Sequence, residues 1–109
     1  MKKEYRVRKS EEFNQIIHLR QSYANASFVL YYRDNDDHMH VGISASKKLG
    51  NAVVRNKIKR QVRMMVHELF NEQDQKDYII IVRNKYLYND YSTNKGNLLS
   101  LYKKVNKRS

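Results

Sequence analysis

The segment KKLGNAVVRNKIKRQVR, Lys47 to Arg63, holds seven cations and no carboxylate, with Leu49, Val53, Val54, Ile58 and Val62 set between them. The apolar positions Val54, Ile58, Val62, Met65 and Leu69 recur at helical spacing as far as about Phe70. One flank of this helix must therefore dock on an apolar surface. Residues on a helix advance by about 100° each, which places Arg55, Asn56, Lys59, Arg60 and Arg63 on an arc beside the apolar stripe. Lys57 points further away. No acid occurs from His38 to His67, so the Glu–Lys pairs of an ordinary solvated helix are missing. Solubilising faces normally mix both signs. This one reads as a surface for a polyanion.

The approach to the helix adds to that reading. Lys47 and Lys48 precede Gly50, whose missing Cβ permits a tight turn and the close approach of a phosphate. Asn51 is placed to cap the helix, and the free backbone amides after it point out of the helix start, where anions bind readily. Cations, amides and helix dipole converge on one patch.

The whole chain shares the bias. Lys and Arg total 22 against 11 acids, a formal charge of +11. Such a field attracts nucleic acid first and an anionic membrane surface second, and unopposed it destabilises the compact state. Nine of the twelve aromatic residues are Tyr, a ring that stacks on bases and also serves as an ordinary core-edge residue. A length of 109 residues fits one domain. Absence of Cys excludes disulfides and thiolate metal sites and suits the cytoplasm. Apolar runs stop at four or five residues, too short to span a membrane, and MKKEYRVRKSEE lacks the apolar stretch of a secretory signal.

Ser10-Glu11-Glu12 followed by Phe13, Ile16, Ile17 and Arg20 predicts a helix over about 10–21. Residues 27–33 are rich in strand formers, and Asp34-Asn35-Asp36-Asp37 is a turn cluster. In the strand from Met39 to Ser46, Val41, Ile43 and Ala45 face one way, and His40, Gly42 and Ser44 the other. Two strands around a short polar turn predict a hairpin. Tyr78 to Val82 is a continuous apolar strand, expected to be buried on both faces. Asn84 to Tyr91 reads as a Tyr-rich loop, and Leu98, Leu101, Tyr102 and Val105 mark a closing helix with a basic, fraying tail at about 103–109. The order is αββαβα: an α/β (α+β) sandwich with one sheet, a single domain over 1–109 whose charge suits nucleic acid.

Protein-borne catalysis finds no support. His38 and His40 could present two imidazoles on one strand face, with no third ligand evident in the sequence. His18 and His67 stand singly at helix edges. Ser44 and Ser46 have no His–Asp partnership nearby. Asp34, Asp36 and Asp37 lack the later Glu of a calcium-binding loop, and scattered acids offer no carboxylate cluster for two-metal chemistry.

The run Ser46-Lys47-Lys48-Leu49-Gly50-Asn51-Ala52-Val53-Val54-Arg55-Asn56-Lys57-Ile58-Lys59-Arg60 resembles the signature of the bacterial ribonuclease P protein subunit, and the order of elements follows that family along essentially the whole chain. One departure is Lys57, where the family's Arg-Asn-Arg core usually has Arg; it keeps the charge and loses the planar fork. The resemblance implies a protein that joins a large catalytic RNA and promotes removal of the 5′ leader from precursor tRNA. The chemistry would be carried by the RNA with magnesium, and no cofactor, membrane or protein partner is implied. It also implies a left-handed βαβ crossover. By matching position, Lys47, Lys48, Arg55, Arg60 and Arg63 would touch the RNA subunit, with Asn51 and Lys57 in the same surface. Phe13, Ile17, Tyr31 and Ser44 would line a cleft for the single-stranded leader, bordered by Arg55, Asn56 and Lys59. The residues themselves support that cleft in part: Phe13 and Ile17 lie one helical turn apart, and Val29 shares a strand face with Tyr31. The same residues would equally serve to pin the first helix to the sheet. A ribosomal or other structural RNA-binding protein would share the electrostatics without the cleft. A DNA-binding module is disfavoured by Ala52 and Val53, small apolar residues where recognition helices usually read bases.

Overall fold

Of the five consecutive apolar residues from Tyr78 to Val82, all but the half-buried Ile81 are buried, and the sheet is built around them. The computed structural model describes residues 5–7 and 10–107. In chain order the elements are α1 (Ser10–His18), β1 (Ser22–Ala24), β2 (Phe28–Asp34), β3 (His40–Ser44), a 3-10 turn (Lys47–Leu49), α2 (Ala52–Leu69), β4 (Lys76–Val82), a second 3-10 turn (Asn84–Tyr88) and α3 (Tyr91–Val105). The four strands lie in the order β1-β2-β4-β3.

The predicted hairpin does not form. β4 lies between β2 and β3, antiparallel to β2 and parallel to β3. Each of the two half-buried strands thereby gains the most apolar strand as its neighbour. The link between them bonds elsewhere: Asn35 N–H donates to Gln75 O at 2.9 Å and Met39 N–H to Glu72 O at 3.3 Å. The parallel pair β3 and β4 is joined through α2, a βαβ unit. β1, absent from the sequence reading, pairs antiparallel with β2 at the sheet edge, and all three of its residues are exposed.

One face of the sheet carries the main core. Phe28, Leu30, Val41, Tyr78, Ile80 and Val82 pack against Ile58, Val62, Met65 and Val66 of α2 and Leu98 and Leu101 of α3. Full burial of each such side chain contributes about 1.5–3 kcal/mol. The expected alternation in β3 holds: Val41 and Ala45 are buried in this core and Ile43 packs against it. Asn51 caps α2, its Oδ1 accepting from Val54 N–H at 3.0 Å.

Three boundaries differ from the sequence reading. α1 ends at His18, three residues early, and Arg20 follows with φ 57°, a left-handed conformation that no helix continues. The Tyr-rich stretch contains a 3-10 turn anchored by Tyr86, whose buried ring meets Phe28 edge-on at 5.6 Å between centroids. Lys103 to Val105, expected to fray, complete α3. Arg108 and Ser109 lie outside the described residues.

Candidate nucleic-acid interface

β3 and β4 run side by side toward the end of the sheet where the cations gather. β3 leads through the turn Lys47–Leu49 into α2, with Leu49 buried as its anchor. Lys47 and Lys48 are thereby held outward, both exposed. Gly50 takes φ 142°, and a Cβ built there would lie 3.1 Å from the Val54 side chain. Any other residue would be strained by conformation and by contact. The turn sets the first amides of α2 beside Lys47 and Lys48, since the Asn51 cap occupies only the Val54 N–H.

On α2, Asn56, Lys57 and Arg60 are exposed, and Arg55, Lys59 and Arg63 are half-buried. Among the described residues, none of the seven cations from Lys47 to Arg63 meets a carboxylate. The Nε of Arg55 is buried without a hydrogen-bond partner. A buried donor left unmade costs about 1–3 kcal/mol, more when charged.

The sheet face opposite the main core is covered only in part. Strand register places Val29, Ile81 and Ser44 in one row across the sheet, and Tyr31, Ile79 and Gly42 in the next. α1 packs over this face. Its fully buried residue is Ile16, leaving Phe13 and Ile17 half-buried. Pinning the helix is therefore the work of Ile16, and the two flanking side chains keep accessible surface. A Cβ on Gly42 would lie 2.9 Å from Ile79 Cδ1 and 3.4 Å from Phe13 Cδ2. The missing side chain lets the Phe13 ring settle close to the sheet. Phe13, Ile17, Val29, Tyr31 and Ser44 thus fall on one side of the sheet. Ile79, Ile81 and Gly42 complete that surface and were missed, because assigning them requires the strand order.

The next row on this face is Arg33, Asp77 and His40. Asp77 is buried and accepts from Arg33 Nη2 at 2.5 Å, Arg33 Nε at 3.0 Å and Asn35 Nδ2 at 2.8 Å, with His40 Nδ1 at 2.9 Å. His40, the first residue of β3, and His38 on the link before it also gain the third donor that the sequence did not show. Asp37 Oδ2 lies 3.7 Å from the Nε2 of both His38 and His40, and donor atoms of all three residues fall within 4.8 Å of one another. Two imidazoles and a carboxylate suit a transition ion, and Asp77 fixes the orientation of the His40 ring. His18 Nδ1 lies 2.6 Å from Asn14 O, and His67 is exposed; neither joins a cluster. No helix among the described residues is long and apolar enough to cross a membrane.

A family model described as Ribonuclease P matches residues 1–106. The chain is 47% identical over 104 residues to the ribonuclease P protein component of Streptococcus gordonii, covering 94% of this chain and 87% of that one. It is 43% identical over 108 residues to the ribonuclease P protein component of Mycoplasma mycoides subsp. mycoides, covering 96% and 99%. The RNase P protein of Staphylococcus aureus, solved at 2.0 Å, superposes with a TM-score of 0.84 at 38% identity, covering 94% of this chain and 95% of that one. The chain belongs to the ribonuclease P protein family of bacteria.

Proposed function

We propose that the chain holds the RNA subunit of ribonuclease P on the surface from Lys47 to Arg63 and the 5′ leader of precursor tRNA against the face between α1 and the sheet. The observation that carries this reading is the adjacency of two unfinished surfaces. Seven cations without carboxylate partners follow the end of β3, and the half-buried aromatic and apolar face on the other side of the sheet from the main core reaches that same end at Ser44. Phosphates of a structured RNA supply the missing partners, and each contact releases counterions, so affinity falls steeply with salt. Phe13 and Tyr31 offer rings to unpaired bases, a sequence-tolerant contact worth about 1–3 kcal/mol per base. Arg55, Asn56 and Lys59 would border the leader face, as the family resemblance implies.

The protein's part is binding and positioning, and the hydrolytic chemistry belongs to the RNA and its magnesium. The Asp37, His38 and His40 cluster lies on the β2–β3 link, at the sheet end away from the cations, and has no role in this scheme. Adding the chain to the RNA subunit at low magnesium should restore leader removal that the RNA alone performs poorly. No enhancement at any magnesium concentration would refute the assignment to this RNA.

A further inference from the structure

α2 has a second flank, of which the RNA-binding reading uses only Lys57. Arg55, Lys59 and Arg63 project on one side of its buried stripe, and Val54, Lys57 and Gln61 on the other. That second side forms one wall of an open groove of about 280 Å³, whose opposite wall is Tyr86 and Leu87 of the 3-10 turn Asn84–Tyr88. Apolar groups of this lining meet water: Val54 is 37% exposed and Leu87 45%, and Tyr88, one residue beyond the lining, is 84% exposed. Large exposed apolar groups clustered beside a groove mark an interaction site.

Charge selects the partner. The elements that form the groove, α2, the turn and α3, contain a single carboxylate, Glu68, which pairs with Lys95 and accepts from Tyr91 Oη at 3.4 Å. Asp90, just before α3, is used by the Thr93 amide at 2.8 Å. Lys57 lines the groove, Lys85 belongs to the turn, and the turn packs against the one carrying Lys47 and Lys48. A groove with apolar groups on both walls and the unpaired Lys57 in its lining fits a polyanion that can offer a flat apolar group, which is an unstacked nucleotide. Gln61 adds a polar contact. Its Oε1 accepts from Tyr86 Oη at 2.7 Å, which fixes the amide and leaves its NH2 group to donate into the groove.

We infer that this groove takes an unstacked nucleotide of the RNA subunit, its base between Val54 and Leu87, its phosphate on Lys57, and a base acceptor on the Gln61 amide. The inference rests on the RNA-binding reading and extends it from one flank of α2 to both. It also gives Lys57 a task suited to a point charge on a flexible stem.

The test compares the double variant Leu87→Ser/Tyr88→Ala with Arg60→Ala, measuring affinity for the RNA subunit across a salt series. Both altered groove residues are exposed, and a melting curve confirms the fold. The groove variant should bind the RNA at least about fivefold more weakly with an unchanged salt slope, because it removes stacking and no phosphate contact. Gln61→Glu, which keeps size and loses the donor, should also weaken binding. Wild-type affinity in the folded double variant, with Arg60→Ala weakened, overturns the groove and spares the RNA-binding reading. Absence of RNA binding by the unaltered chain overturns both. A self-association lost in the double variant while RNA affinity persists would make the groove an interface between copies, and would also overturn the proposal.

Discussion

The two ends of the sheet treat charge in opposite ways. At the end where β3 and β4 begin, acids are met: Asp77 sits among Arg33, Asn35 and His40, Asp34 pairs with Lys76 at 2.8 Å, and Asp74 accepts from Tyr78 and Tyr102 hydroxyls at 3.0 and 2.6 Å. At the end toward which those strands run, seven cations have no carboxylate and one guanidinium nitrogen is buried without a partner. Charge is neutralised within the fold at one end and left unneutralised at the other, where we propose that RNA meets it. Substitutions at the two ends should therefore separate stability from binding.

The largest effect belongs to the paired end. Asp77→Ala leaves Arg33 and His40 without their buried acceptor, and breaking such a pair costs about 3–5 kcal/mol. Arg33 keeps 29% of its side chain in water, so we expect the lower value, about 3 kcal/mol, by urea unfolding. The salt slope of RNA binding should not change. A stable Asp77→Ala protein with a shallower slope would erase the distinction between the ends.

Arg60→Ala should behave in the opposite way. Loss of a charged hydrogen bond to phosphate costs about 1.5–3 kcal/mol of RNA binding, and the salt slope becomes shallower by about one unit. The melting temperature should hold or rise, since removing one like charge relieves repulsion. Unchanged affinity with a lowered melting temperature would mean that Arg60 serves the fold.

A smaller effect tests the core between the two ends. The unperturbed Tyr hydroxyl ionises near 10.0, and burial pushes Tyr86 up to about 12. The folded protein therefore keeps a proton that the unfolded chain releases. This contribution to stability is complete below pH 10 and is lost as pH rises toward 12. Tyr86→Phe should cost about 0.5–1.5 kcal/mol at neutral pH through the lost Gln61 bond. It should also flatten the alkaline fall relative to the unaltered protein. Parallel melting-temperature profiles from pH 9 to 12 would contradict this.

Local features of the fold were legible, and long-range ones were not. The period of Val54, Ile58, Val62 and Met65 and the cap at Asn51 are written in neighbouring residues. So is the double burial of Tyr78 to Val82. Which strand pairs with which is decided by competition among distant segments, and the polar link at Asp34–Asp37 looks like a hairpin turn although Asn35 and Met39 bond residues 72–75. β1 carries no apolar signal at all, because Ser22, Tyr23 and Ala24 are exposed. The site shows the same division. Strand alternation places Val29 beside Tyr31, whereas Ile79 and Gly42 beneath Phe13, and the row of Arg33, Asp77 and His40, emerge only once β4 is known to be central. Asp37 as third donor to His38 and His40 depends on the path of the same link.

The central claim is that the half-buried rings beside the unpaired cations bind the leader, a role distinct from the core. Tyr31→Ala tests it most directly, with equilibrium binding of precursor tRNA and mature tRNA to the reconstituted complex of protein and RNA subunit. The face of Tyr31 is shared with Ile79 and Gly42, and its half-burial means that truncation should leave the fold intact by melting curve. Precursor tRNA binding should weaken by about 1–3 kcal/mol, the worth of one stacked base, while mature tRNA binding stays within error. Equal weakening of both substrates in a folded Tyr31→Ala protein would contradict the account.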